Sequence, residues 1–317
     1  MASVASAVRE LFEHAWLELP LPGSKDTRTR FRCFVELGAH DLSLARLCES
    51  HADAIAILRE AGREPAADAV YGVWASDSTA SAVRAECTPE GWQLQGELAG
   101  CYGVSSVDRA LILASSPEPM LFDVPRAALD RLEIEHARAV GLAAADGGRI
   151  KFERCELPVD ALVGPPGFQR SRRGRWSGAI GVSAVWFGGA VGAYRAWQSA
   201  KQGAANDPHA QAHLGAAYAA MSAAGQVLHD AAHAIDAGES SEALRRRALW
   251  TRHVVETSCL AVLDRMGRAL GDAPSSWSAA HARRLADLPA YLRQSQAERD
   301  LASLGQLVSS SHEVAWL

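Results

Sequence analysis

His209 with His213, and His229 with His233, form pairs four residues apart, a spacing that sets both imidazoles of a pair on one helical face, as a metal site requires. Only Asp230 accompanies the second pair and HExxH does not occur, so both pairs read as polar surface and no metal-ligating set is expected. The six cysteines, Cys33, Cys48, Cys87, Cys101, Cys155 and Cys259, lie far apart and never as CxxC. They read as reduced, mostly buried thiols. Gly181, Gly188, Gly189 and Gly192 space small residues along one helix with no strand ahead of them. That pattern suits close helix packing and fails the context test of a phosphate loop. The arginines of the stretch Arg170–Arg175 offer cations to a diphosphate, or else form an exposed loop at the edge of a helical bundle. Trp176, Trp186 and Trp197 recur at near-helical spacing and read as core or oligomer interface, with an interface favoured.

Three kinds of segment position these residues. Up to about residue 69 the chain is helical: apolar residues recur at three- and four-residue steps from Val4 to Leu19, and again from Asp41, a good N-cap, to Gly62, a good stop. Between 70 and 165 short alternating runs (83–87, 92–94, 110–114, 120–124, 132–136, 150–156) are separated by turn formers, the pattern of an antiparallel barrel or sandwich. From 166 to 317 the sequence is Ala-rich with helical period over 179–202, 208–237, 242–269 and 279–307, which suits a four-helix bundle. The order helices, strands, helices implies an α+β fold with segregated subdomains.

Composition narrows the classes. A chain of 317 residues that is 48% hydrophobic can bury a sizeable core, and a formal charge of −5 with interspersed signs gives no basic field for nucleic acid. No continuous apolar leader and no uninterrupted span of about 20 apolar residues occurs. A cytoplasmic protein with no membrane or nucleic-acid partner is expected.

The β segment carries Gly91-Trp-Gln-Leu-Gln-Gly96, Cys101-Tyr-Gly103 and Val107–Ala114; it closes through Gly141–Gly164; and the first bundle helix opens Arg175-Trp-Ser-Gly-Ala-Ile-Gly. These stretches resemble the acyl-CoA dehydrogenase superfamily, in a short and divergent form, over roughly residues 71 to 197. The resemblance implies N-terminal helices (1–69), a middle antiparallel β-barrel (70–165) and a C-terminal four-helix bundle (166–317). It further implies FAD, a small-molecule substrate such as a CoA thioester, and a homodimer or homotetramer.

What the resemblance implies for the site is specific. Val73-Trp74-Ala75 and Cys101-Tyr102-Gly103 stand at the two flavin-facing segments, with Trp74 and Tyr102 where Thr or Ser is usual, and backbone amides left to bond flavin N1, O2 and O4. Dehydrogenation needs a carboxylate base opposite the flavin. Asp287 and Tyr291 fit the spacing that leads to it, but Ser295 falls near the expected Glu and is no base. Glu298 is the nearest downstream carboxylate; it substitutes if the helix shifts by a turn, or else belongs with Arg299 and Asp300 to a solvated face. The segment Ala200–Asn206 lacks the Arg and Phe that meet the FAD diphosphate, leaving Lys201 or the Arg170–Arg175 cluster, and only Ser76, Asp77 and Ser78 remain of an acidic loop. Three functions follow: an FAD-dependent oxidoreductase acting on a thioester or related small molecule, a catalytically degenerate binding or assembly subunit, or a flavin-dependent monooxygenase, which needs no carboxylate base.

Overall fold

The computed structural model describes residues 3–75, 83–200, 207–271 and 278–310. Packing divides the chain into two compact units, 1–19 with 46–175, and 20–45 with 176–317. The first 69 residues are thus shared between the units.

The first unit opens with α1 (Val4–Glu13), capped by Ser3 Oγ, which accepts from Ser6 N–H at 3.1 Å. The expected run to Leu19 is cut short where Ala15 turns to φ 58°, which brings Leu17 into the core. Most of α3 (Leu42–Glu60) belongs to this unit and buries Ala54, Ile57 and Leu58 against Tyr71, Leu111, Leu121 and Val163.

Eight strands follow: β1 (Tyr71–Trp74), β2 (Arg84–Thr88), β3 (Gly91–Tyr102), β4 (Arg109–Ala114), β5 (Met120–Pro125), β6 (Glu133–His136), β7 (Gly147–Leu157) and β8 (Leu162–Val163). Two short helices, α4 (Arg126–Leu129) and α5 (Phe168–Ser171), complete the unit. The strands make two four-stranded sheets, ordered β1-β4-β5-β8 and β2-β3-β7-β6. Trp92 of β3 meets Phe122 of β5 edge to face, with centroids 5.4 Å apart, so the sheets pack through their apolar faces. The antiparallel expectation needs one correction: β1 pairs with β4 in parallel, Tyr71 opposite Arg109. The chain between these two strands crosses through β2 and β3, so they run the same way, and β1 is too short to show an alternation of its own.

The second unit comprises α2 (Thr27–His40), α6 (Arg175–Ala200), α7 (Pro208–Asp236), α8 (Ser241–Leu270), α9 (Ala279–Leu292) and α10 (Ala297–Ser310). Asp207, Ser240 and Ser278 cap α7, α8 and α9 through side-chain oxygens. The last helix, expected over 279–307, is broken at 293–296 into α9 and α10.

The glycines of α6 do what their spacing implied. A Cβ on Gly188 would lie 2.3 Å from Val35 O, and one on Gly192 2.4 Å from Ala39 O, so the backbones of α2 and α6 touch there. Over Arg175–Ser199 this helix is long and apolar enough to cross a membrane by length and composition, and 72% of that window is buried within the protein. Trp186 and Trp197, favoured as interface, are instead fully buried in the chain's own core. Trp186 packs edge-on to Tyr291 at 6.4 Å beneath the Arg252 guanidinium, and Trp197 lies beside Tyr194. Near-helical spacing alone does not separate a core stripe from an interface stripe.

Candidate functional site

The segments 73–75 and 101–103 come together in the first unit. Trp74 is 4% exposed, and its indole Nε1 donates to the carbonyl oxygen of Tyr102 at 2.9 Å. The indole lies over Gly72, where a Cβ would sit 3.1 Å from Trp74 Nε1; glycine leaves the room. Both β1 amides that face away from β4 are taken by α3: Tyr71 N–H donates to His51 Nδ1 at 3.1 Å and Val73 N–H to Ser50 Oγ at 2.7 Å. Because His51 accepts at Nδ1, its ring proton sits on Nε2.

Gly103 lies beyond β3 at φ 74°, and its N–H is shared by the carbonyls of Ala145 and Asp146 at 2.8 and 3.0 Å; Val104 N–H also reaches Asp146 O, at 3.2 Å. Asp146 holds this corner. It occupies the left-handed region at φ 49°, and its carboxylate accepts from Ser105 N–H at 2.7 Å and contacts His136 Nδ1 at 3.0 Å. The sequence marks Asp146-Gly-Gly148 only as a turn; its bonds back to 103–105 span more than 40 residues and follow no local rule.

Tyr102 is half-buried, with the Arg46 guanidinium 5.0 Å from its ring centre, and Arg46 is held in turn by Glu49 at 2.9 Å. Cys101 is fully buried, and burial pushes its thiol up to about 12, so little thiolate is present at neutral pH. Val73 and Ala75 are half-buried and pack on the core beneath them.

The candidates from the last helices lie in the second unit. Ser295 is half-buried in the break between α9 and α10, and its Oγ accepts from Ala297 N–H at 3.3 Å, opening α10. Glu298 is exposed in the first turn of α10, beside Asp300, where acidic residues complement the helix N-terminus. Asp287 and Tyr291 are buried at 2% and 0% exposure. The second histidine pair is engaged with itself, His229 Nε2 to His233 Nε2 at 3.1 Å.

Within the arginine cluster Arg170 and Arg173 are exposed, whereas Arg172 is buried. The Arg172 side chain is 3% exposed, with Nη1 3.3 Å from Glu60 and Nη2 3.8 Å from Asp53, and Gly174 N–H donates to Glu60 at 2.9 Å. Arg172 thereby ties the end of α5 to α3. Ser76, Asp77, Ser78 and Lys201 lie outside the described residues.

No protein-family model and no curated protein matches this sequence. Solved structures do match along nearly its whole length. TdsC of Paenibacillus sp. A11-2, a dibenzothiophene monooxygenase solved with FMN and indole, superimposes with TM-score 0.78 at 17% identity, covering 96% of each chain. An electron-transferring flavoprotein structure of Acidaminococcus fermentans gives TM-score 0.85 at 15% identity, covering 96% of this chain and 90% of that one. XiaF of Streptomyces sp., in complex with FADH2 and glycerol, gives 0.74 at 17%, covering 91% and 82%. The fold is acyl-CoA dehydrogenase-like.

An acyl-CoA dehydrogenase-like fold raises the question of whether these residues suit a flavin. Several donors of the two segments that the resemblance sets beside a flavin are already engaged within the protein. The Val73 and Gly103 amides expected to grip the ring already bond Ser50, Ala145 and Asp146, and the Trp74 donor is bonded to Tyr102 O. Arg172, the buried cation of the cluster proposed for a diphosphate, is committed to Glu60 and Asp53. Val73, Ala75 and Tyr102 are each half-buried.

Proposed function

We propose that this chain is a flavin-dependent oxidoreductase that borrows its flavin, as FMN or a reduced flavin, in the manner of a monooxygenase, and is not a thioester dehydrogenase built around resident FAD. The engaged Trp74 indole and Val73 and Gly103 amides carry the reading: a ring held by its face alone, with its polar edge ungripped, is exchanged readily. Bound FMN in TdsC and FADH2 in XiaF support it. So does Ser295 near the place of the expected Glu, a hydroxyl that opens a helix and has no pKa suited to a base. The flavin supplies the redox chemistry when bound. The chain's own part is to present Tyr102, whose ring carries the Arg46 guanidinium, itself paired with Glu49.

A second reading, a binding or assembly subunit without redox activity, draws on the same engaged donors. Absorbance near roughly 450 nm after incubation with FMN or FAD and gel filtration, followed by oxygen uptake with photoreduced FMN, separates the readings. Reversible FMN binding no weaker than FAD binding, with oxygen uptake stimulated by the protein, is the expected result. FAD retained stoichiometrically and bleached by an acyl-CoA would refute the reading in favour of a dehydrogenase; no binding of either flavin would leave the subunit.

A further inference from the structure

Within the second unit, α2 and α7 border a cavity of ≈ 680 Å³ that none of the chemistry above uses. That volume is in the range of small-molecule sites. Its floor is apolar: Phe31 and Val35 from α2, Phe187 from α6 and Leu228 from α7. Gly225 keeps the α7 side open, because a Cβ there would touch only Phe187 Cζ, at 3.6 Å. One end is pinned by a tertiary cap, in which Asp236 of α7 accepts from Thr27 N–H at 3.1 Å and from Thr27 Oγ1 at 2.6 Å.

The rim is cationic. Arg28 and Arg32 stand four residues apart on α2, both exposed, and among the described residues neither makes an ion pair. Like charges at this spacing repel, a cost that a bound anion between them removes. The other charged groups at the cavity do so only in part. Both Glu36 oxygens are engaged by Arg195, at 2.8 and 3.0 Å, and that bond, with a smaller contribution from the Arg32 charge, holds the Glu36 carboxyl below its usual range. Cys33 in the wall is half-buried, and burial raises its thiol, so it adds no negative charge at neutral pH. His229 already shares a hydrogen bond with His233.

We propose that this groove binds an amphipathic anion, its apolar chain on Phe31, Val35, Phe187 and Leu228 and its carboxylate or phosphate head between Arg28 and Arg32. The full-length protein is titrated calorimetrically with decanoate and with decyl phosphate, which distinguish the two head groups, and with decanol and decyltrimethylammonium as neutral and cationic counterparts. At least one anion is expected to bind, and neither counterpart is expected to compete. Arg28→Gln with Arg32→Gln should weaken the anion by about tenfold or more, the loss of a charge-assisted contact. Gly225→Leu fills the floor, improves helix propensity and should abolish binding. The exposed arginine pair keeps the test decisive if the leucine variant folds poorly. Failure of both anions to bind, anion binding indifferent to the variants, equal competition by decyltrimethylammonium, or a change in sedimenting mass on Gly225→Leu, which would mean that a second copy covers the groove, would each overturn the proposal.

Discussion

Replacing Arg172 with methionine asks whether the Arg170–Arg175 stretch fastens the fold or serves a ligand. Methionine keeps much of the aliphatic stem and removes the guanidinium, leaving Glu60 and Asp53, whose side chains are 27% and 17% exposed, facing the vacated position. Removing one partner of a fully buried ion pair costs about 3–5 kcal/mol, whereas exposed pairs contribute about 0–1 kcal/mol. Here the cation is buried and the carboxylates are partly hydrated, so the loss should fall between those limits, at about 2–3 kcal/mol. Glu60 also accepts from Gly174 N–H, so Glu60→Gln alone should cost less, and the double variant should lose less than the sum of the singles, with a coupling of about 1 kcal/mol. Urea unfolding followed by tryptophan fluorescence measures all four proteins. Stability of Arg172→Met within about 0.5 kcal/mol of the parent, together with weakened FMN uptake, would refute the reasoning and make Arg172 a ligand-binding cation.

Three further outcomes are expected. Gly188→Ala should destabilise by about 1–3 kcal/mol in thermal or urea unfolding, because its Cβ meets the backbone of Val35 and overpacking outweighs the gain in helix propensity; a neutral or stabilising effect would mean that α2 can move away. With Ellman's reagent at pH 8, exposed Cys87 should react first and its rate should vanish in Cys87→Ser. Burial holds Cys48 and Cys101 at about 12 and Cys155 at about 11, and raises Cys259 and Cys33, so their thiolate fractions stay small; several fast thiols would contradict the packing. His281 has its pKa lowered from 6.5 by burial and by Arg284, so the unfolded chain binds a proton more readily. Stability should therefore be full above 6.5 and decline as pH falls below it toward the folded value, and His281→Gln should remove that part of the decline in urea midpoints measured from pH 7.5 down to 5.5.

Local chemistry in the sequence determined much of the architecture. Periodicity and caps at Asp207, Ser240 and Ser278 fix where the bundle helices start, because a cap is satisfied within three residues of itself. Alternation and turns locate six of the strands, and the glycines of α6 announce a close crossing before its partner is known. The rest depends on contacts far apart in the chain. Helix α2 is without a side-chain cap of its own and borrows Asp236, so its start has no local signature. Strand β1 has its outer amides bonded by Ser50 and His51 and its other side paired in parallel with β4, none of which a four-residue run can encode. The same holds for the site. The resemblance could single out Trp74 and Tyr102, but only the folded chain shows that one bonds the other's carbonyl. Whether a donor faces a ligand or its own protein depends on which acceptor the fold brings within about 3 Å, and hydrogen bonds act only at that range.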